Sequence, residues 1–68
     1  MTKGTEMMIE LRKHEFRITQ KELSEKTGIT RTTIASIEAG INNPSVETAK
    51  VLAKFLGFDW TLFFEEGE

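Results

Sequence analysis

The chain has 68 residues, no cysteine and a formal net charge of −2. At that length a fold buries only about 60% of its unfolded surface, so one small core is the limit. Disulfides and thiolate metal sites are excluded, and no apolar run approaches the roughly 20 residues of a membrane span. With no leader-like segment legible, a soluble cytoplasmic protein is expected, organised as a single domain over residues 1–68.

In chain order, residues 1–5 read as a loose arm whose only basic side chain is Lys3, and a helix follows over about residues 6–14 with Met8 and Leu11 turned to the core. Phe16 is expected to tuck beneath the turn His14-Glu15-Phe16-Arg17. Thr19 and Glu22 then form a capping box, with Ile18 placed to staple onto Leu23, so a second helix starts at Gln20. Gly28, just past Thr27, takes the left-handed conformation that closes it. Thr30 offers the next N-cap and Ile29 with Ile34 repeats the staple, so a third helix begins almost at once and must cross the second steeply. Beyond the loop Ile41-Asn42-Asn43-Pro44, Ser45 caps a fourth helix that runs to about Leu56, since Pro44 cannot sit inside it. Val46, Ala49, Leu52, Ala53 and Leu56 make its buried face, and Gly57 ends it. Asp59 caps a last helix over about residues 60–65, with Phe58 stapled to Phe63. The sum is five helices and no strand.

Facing separates two sides of the third helix. At about 100° per residue, Ile34 and Ile37 share the core side with Glu38 at its edge, while Thr32, Ala35, Ser36 and Ala39 lie opposite and Arg31 and Thr33 flank the exposed N-terminal end. Small hydrogen-bonding side chains there, where Lys and Glu are usual, fit a helix that slides into a major groove. The free N–H groups of two neighbouring helix starts suit phosphates.

Over residues 11–64 the chain resembles the Cro-like and lambda-repressor-like helix-turn-helix domains, the XRE family. The likeness is carried by Leu11-Arg12, Ile18-Thr19-Gln20 with Leu23, Gly28-Ile29-Thr30 with Ile34, Glu38 and Gly40, Asn43-Pro44-Ser45, and Ala53, Leu56 and Gly57. The resemblance implies an all-α, compact five-helix lambda-repressor-like bundle. Its core covers about residues 6–64, its helix-turn-helix is made by the second and third helices, and a short arm and an acidic tail flank it. It further implies base contacts from Arg31, Thr32, Thr33 and Ser36, DNA-backbone contacts from Gln20, Lys21, Thr30, Asn42 and Asn43, and a structural pair between Arg12 and Glu38. Between the Leu-Arg pair and Gln20 the chain carries one residue more than the family pattern. This implies a rearranged first turn and leaves Lys13 as a second candidate partner for Glu38.

Charge is the counter-argument to nucleic acid, but it is unevenly placed. All nine Lys and Arg precede residue 55, against seven acids up to Phe58, while Asp59, Glu65, Glu66 and Glu68 gather at the end. A core with a small basic surplus suits modest, salt-dependent binding provided the acidic tail points away from DNA. Val51 and Phe55, spaced i, i+4 opposite the core face of the fourth helix, are surplus apolar side chains with Leu62 and Phe64, and a homodimer interface is expected there.

Partners follow from these readings. The expected ligand is a near-palindromic double-stranded DNA operator, bound through the major groove by a homodimeric transcriptional regulator, which the resemblance implies is a repressor of phage or bacterial type. No cofactor, metal, membrane or small-molecule ligand is expected. His14 is the single histidine and no catalytic constellation surrounds it, so an enzyme is not expected. The alternative is a protein-binding adaptor or antitoxin-like module that uses the same fold without DNA.

Overall fold

The structure is a computed structural model and describes residues 1–67; Glu68, one of the tail acids, lies outside the described residues. Helix α1 (Lys3–Glu10) continues without a break into a π-helical segment, Leu11–Phe16. Helices α2 (Gln20–Thr27), α3 (Arg31–Glu38) and α4 (Val46–Leu56) follow, and a 3-10 helix, Trp60–Phe64, closes the described chain. Four α-helices with a π and a 3-10 segment thus stand in place of five regular helices.

Local chemistry sets the central boundaries. The Thr19 hydroxyl accepts from the Glu22 N–H at 3.0 Å and Glu22 Oε1 accepts from the Thr19 N–H at 2.8 Å, which satisfies two otherwise orphaned donors at the start of α2. Gly28 closes it with φ 78°, and the Thr30 hydroxyl reopens the chain as a helix by accepting from the Thr33 N–H. Between them Leu23, Ile34 and Ile37 turn inward. They meet Met8 of α1, Ala49, Leu52, Ala53 and Leu56 of α4, and Phe63 in one buried cluster.

The first residues are not a loose arm. Thr2 caps α1, its hydroxyl accepting from the Thr5 N–H at 3.1 Å, so the helix begins at Lys3 rather than at residue 6. The end of the chain returns to meet it. The Lys3 N–H donates to the Glu65 carbonyl at 2.8 Å, the Gly67 N–H donates to the Met1 carbonyl at 3.0 Å, and Thr2 and Glu66 form an isolated antiparallel bridge. A free acidic tail is therefore replaced by a closure of the two ends, and Lys3 Nζ stands 3.8 Å from Glu65 Oε1.

The turn expected to be rearranged is a widened, π-helical one. A π turn lengthens the hydrogen-bond span from four residues to five without breaking the helix. The segment ends at Arg17, whose φ of 53° is left-handed, and the Ile18 N–H reaches back to the Arg12 carbonyl at 3.0 Å. Phe16 is not tucked beneath this turn. It lies 40% exposed with its ring 5.3 Å from that of Phe55.

Phe55, expected on the outer side of α4, is accordingly half-buried and packs against the core. Val46, expected inside, is 49% exposed. Helical side chains tilt toward the N-terminus, and Val46 is the first helical residue after the Ser45 cap, so it points past the end of the core that Ala49 enters one turn later. The last segment is 3-10 because Asp59 holds both ends of a tight turn. Its carboxylate accepts from the Thr61 N–H and hydroxyl, and its carbonyl accepts from the Leu62 N–H at 3.1 Å. That turn buries Phe63 completely, with the Phe58 ring 5.4 Å away.

Gly4 permits the close approach of α1 to this turn, since a Cβ there would overlap the Phe63 backbone nitrogen and lie 2.6 Å from its Cα. Gly28 is required by conformation alone, with nothing within 4 Å of an added Cβ. Gly4→Ala is therefore expected to lower stability by about 1–3 kcal/mol or more through overpacking against backbone. Gly28→Ala should cost about 1–2 kcal/mol through strain. Urea unfolding of both variants followed by circular dichroism checks the order.

Candidate nucleic-acid interface

The surface is organised from beneath by one buried polar network. Arg12 donates from Nε to Glu38 Oε2 and from Nη2 to Glu38 Oε1, both at 2.7 Å, and from Nη1 to the Ile18 carbonyl at 3.0 Å. Gln20 Nε2 donates to the same Glu38 Oε1 at 2.9 Å. Both charged side chains are 8% exposed. The guanidinium thus joins the π turn, the connection after it and the end of α3, the Glu38 carboxylate adds the start of α2, and a bidentate fork is the geometry that fixes orientation as well as distance. Lys13, the other candidate for Glu38, is exposed. Gln20 is half-buried and partly committed to this network, with its second amide hydrogen left for an outside acceptor.

Helix α3 presents its outer face from this support. Arg31, Thr32 and Thr33 are exposed at its N-terminal end, and Ser36 is half-buried one turn on. The Thr30 hydroxyl is consumed locally: besides capping the helix it donates to Thr33 Oγ1 at 2.8 Å, which leaves the Thr33 hydroxyl hydrogen free to point outward. Lys21 is exposed on α2, and Asn42 and Asn43 are exposed in the loop beyond α3.

Two hollows flank α3. One, of about 400 Å³, brings Thr32, Thr33 and Ser36 together with Asn42, Asn43 and the first turn of α4 at Ser45 and Thr48. The other, of about 520 Å³, is lined by Arg31, Thr32, Ala35, Ser36, Ala39 and Ile41. Thr32 and Ser36 border both and form the ridge between them. The candidate base-facing residues and the two loop asparagines thus share one surface, with Gln20 lying in the support beneath. Sequence reasoning missed Ile41, which is 74% exposed. Its signal was an apolar β-branched residue directly after Gly40 in a polar loop.

The surplus apolar residues are divided. Val51, 37% exposed, and Phe55 line a hollow with Lys26, Thr27 and Lys54. Leu62 lines a separate one with Lys3, Glu6, Met7 and Glu10. Phe64 is 48% exposed and meets Trp60 edge-on at 6.1 Å, while Lys50 Nζ sits 5.0 Å from the Trp60 ring centre. The acids Asp59, Glu65 and Glu66 belong to the closing turn, which packs against α1 and α4.

Two carboxylates titrate below their ordinary range. Glu22 is held down by the backbone N–H of Thr19, then by its hydroxyl, with Lys26 one turn on adding attraction. Asp59 is held down by the Thr61 N–H and hydroxyl. Among the described residues no cluster of three or more His, Cys, Asp or Glu side chains is arranged to hold a metal ion, and no helix is long and apolar enough to cross a membrane.

A buried Arg–Glu clamp beneath two closely joined capped helices, with small polar side chains on the outer face of the second, defines a helix-turn-helix domain. The helix-turn-helix family matches residues 8–63, and the chain belongs to it, in the XRE branch, a DNA-binding and non-enzymatic family. Relatives include the uncharacterised HTH-type transcriptional regulator YqaF of Bacillus subtilis, 44% identical over 48 residues that cover 71% of this chain and 63% of that protein. An uncharacterised HTH-type transcriptional regulator of Methanothermobacter thermautotrophicus is 43% identical over 49 residues, 69% of this chain and 71% of that one. Another, from Methanocaldococcus jannaschii, is 45% identical over 40 residues, 59% and 61% respectively. The chain thus spans less than two thirds of the length of the Bacillus and Methanocaldococcus relatives. No solved structure matches it.

Removing one partner of the clamp leaves a buried charge unpaired, so Arg12→Ala is expected to cost about 3–5 kcal/mol, enough to unfold much of a domain this small. The double variant Arg12→Met with Glu38→Leu should recover most of that loss in urea unfolding. A separate outcome concerns pH. Because folding favours ionised Glu22, its contribution is fully present above the ordinary glutamate range and is lost as pH falls through the lowered folded value. Acidification should therefore lower the urea midpoint of the wild type more steeply than that of Glu22→Gln.

Proposed function

We propose that the chain is a sequence-specific, double-stranded DNA-binding transcriptional regulator, a cytoplasmic repressor that occupies a near-palindromic operator as a homodimer. The observation that carries this reading is the outer face of α3: Arg31, Thr32 and Thr33 are exposed at its N-terminal end beside the Asn42-Asn43 loop. The names of the Bacillus and archaeal relatives, HTH-type transcriptional regulators, support it.

In this reading α3 lies in the major groove. Arg31 donates two hydrogen bonds to guanine O6 and N7, the Thr32 and Thr33 methyls meet thymine, and Ser36 reaches a further base edge. Lys21, the second amide hydrogen of Gln20, Asn42 and Asn43 bind phosphates. Thr30, with its hydroxyl engaged in the cap, contributes by position at the amino end of α3. Two copies pair through the apolar surface at Val51 and Phe55, with reading helices about 34 Å apart and half-sites roughly 10 base pairs apart. The net charge of −2 supports modest affinity that falls steeply with salt.

Selection of bound duplexes from a random pool tests the reading. A recovered near-palindrome, together with a dimer in sedimentation at micromolar concentration, is the expected result; no enrichment and no low-salt gel shift would remove it. On the recovered site, Arg31→Ala should cost about 1–3 kcal/mol and relax the preference at one position of each half-site. Lys21→Ala should weaken every sequence similarly and reduce the salt slope by about one per subunit.

A further inference from the structure

We infer that Ile41, with Arg31, Ala35 and Ala39, reads the C5-methyl group of a major-groove pyrimidine, thymine or 5-methylcytosine, beside the guanine bound by Arg31. This rests on the DNA-binding reading above and adds a specificity determinant to it.

Ile41 has the highest exposure of any large apolar side chain among the described residues, at 74%. It is held in place rather than trailing from the loop. The Ile41 N–H donates to the Ser36 carbonyl at 3.0 Å, and Gly40, at φ 75°, folds the chain back so that its own N–H reaches the Ile37 carbonyl at 3.0 Å. The isoleucine therefore lines the larger hollow together with Arg31, Thr32, Ala35, Ser36 and Ala39. Because alanine carries nothing beyond Cβ, a group entering the hollow can approach the helix closely. Thr32 and Ser36, which border this hollow, also border the one containing Asn42 and Asn43, so Ile41 belongs to the reading surface and not to another face.

The occupant follows from groove chemistry. Base edges in the major groove present donors and acceptors, except for the pyrimidine C5-methyl, which is the one apolar group there. A donor or acceptor pressed against Ile41, Ala35 and Ala39 would lose water to side chains that offer it no hydrogen bond, whereas a methyl group gains from the same burial. Arg31 beside it supplies the fork that takes the O6 and N7 of a neighbouring guanine.

The test uses the duplex recovered by selection, with thymines replaced one at a time by uracil. Loss of one methyl contact at about 0.8 kcal/mol should weaken wild-type binding about fourfold at the position that Ile41 reads in each half-site, separately from any thymine met by Thr32 or Thr33, whose effect persists in Ile41→Ala. Replacing that base pair by cytosine–guanine and then methylating the cytosine should restore a similar factor, and the two arms show whether thymine, 5-methylcytosine or both are accepted. Ile41→Ala should bind the thymine and uracil duplexes equally at that position, with an unchanged urea midpoint because the side chain lies outside the core. Indifference of the wild type to uracil at every position overturns the inference while leaving DNA binding intact. So does an undiminished methyl effect in Ile41→Ala, which would assign the methyl to Thr32 or Thr33. Failure to bind any duplex at low salt overturns the functional reading and this inference together.

Discussion

The bidentate pair between Arg12 and Glu38 is the interaction on which the rest of the structure depends. Burying two charges is costly unless each is paired and hydrogen-bonded, and here the guanidinium also takes the Ile18 carbonyl while the carboxylate also takes the Gln20 amide. Those four partners come from the π turn, the connection after it, the start of α2 and the end of α3. Satisfying the pair therefore fixes how α3 projects, and the placement of Arg31, Thr32 and Thr33 is a consequence of a contact made at the other end of their helix.

The second constraint is closure of the chain ends. A domain of this size has little core to spare, and Phe63 is a large part of it. Its burial requires the glycine at position 4, the Asp59-capped 3-10 turn and the backbone pairing of residues 1–3 with residues 65–67. The same closure ties Glu65 and Glu66 to the start of α1. Acidity that looks unfavourable for nucleic-acid binding in the total charge is held on elements that pack against α1 and α4.

Much of the central motif was legible because its signals are local. The Thr19–Glu22 box, the left-handed Gly28, the Thr30 and Ser45 caps and the facing of Ile34 and Ile37 all act within a few residues. Where expectation and structure part, a distant partner decides. Phe16 and Phe55 find each other across the fold, so neither occupies the place its own helix suggests. Thr2 becomes a cap because the far end of the chain covers it, and Val46 is left outside because the core ends one turn later. The supposed single apolar patch is split because Val51 and Phe55 face the end of α2, whereas Leu62 faces α1.

The sequence by itself determined that the chain is all-helical, where α2, α3 and α4 begin, and which side of α3 is polar, since capping, glycine conformation and helical periodicity are short-range. Tertiary structure alone decided that the first turn is π-helical, that α1 starts at Lys3, and that Ile41 lines one hollow with Arg31. Each of these depends on groups far apart in the chain: Arg12 with Glu38, Gly4 with Phe63, and a loop folded back onto the carbonyl of Ser36.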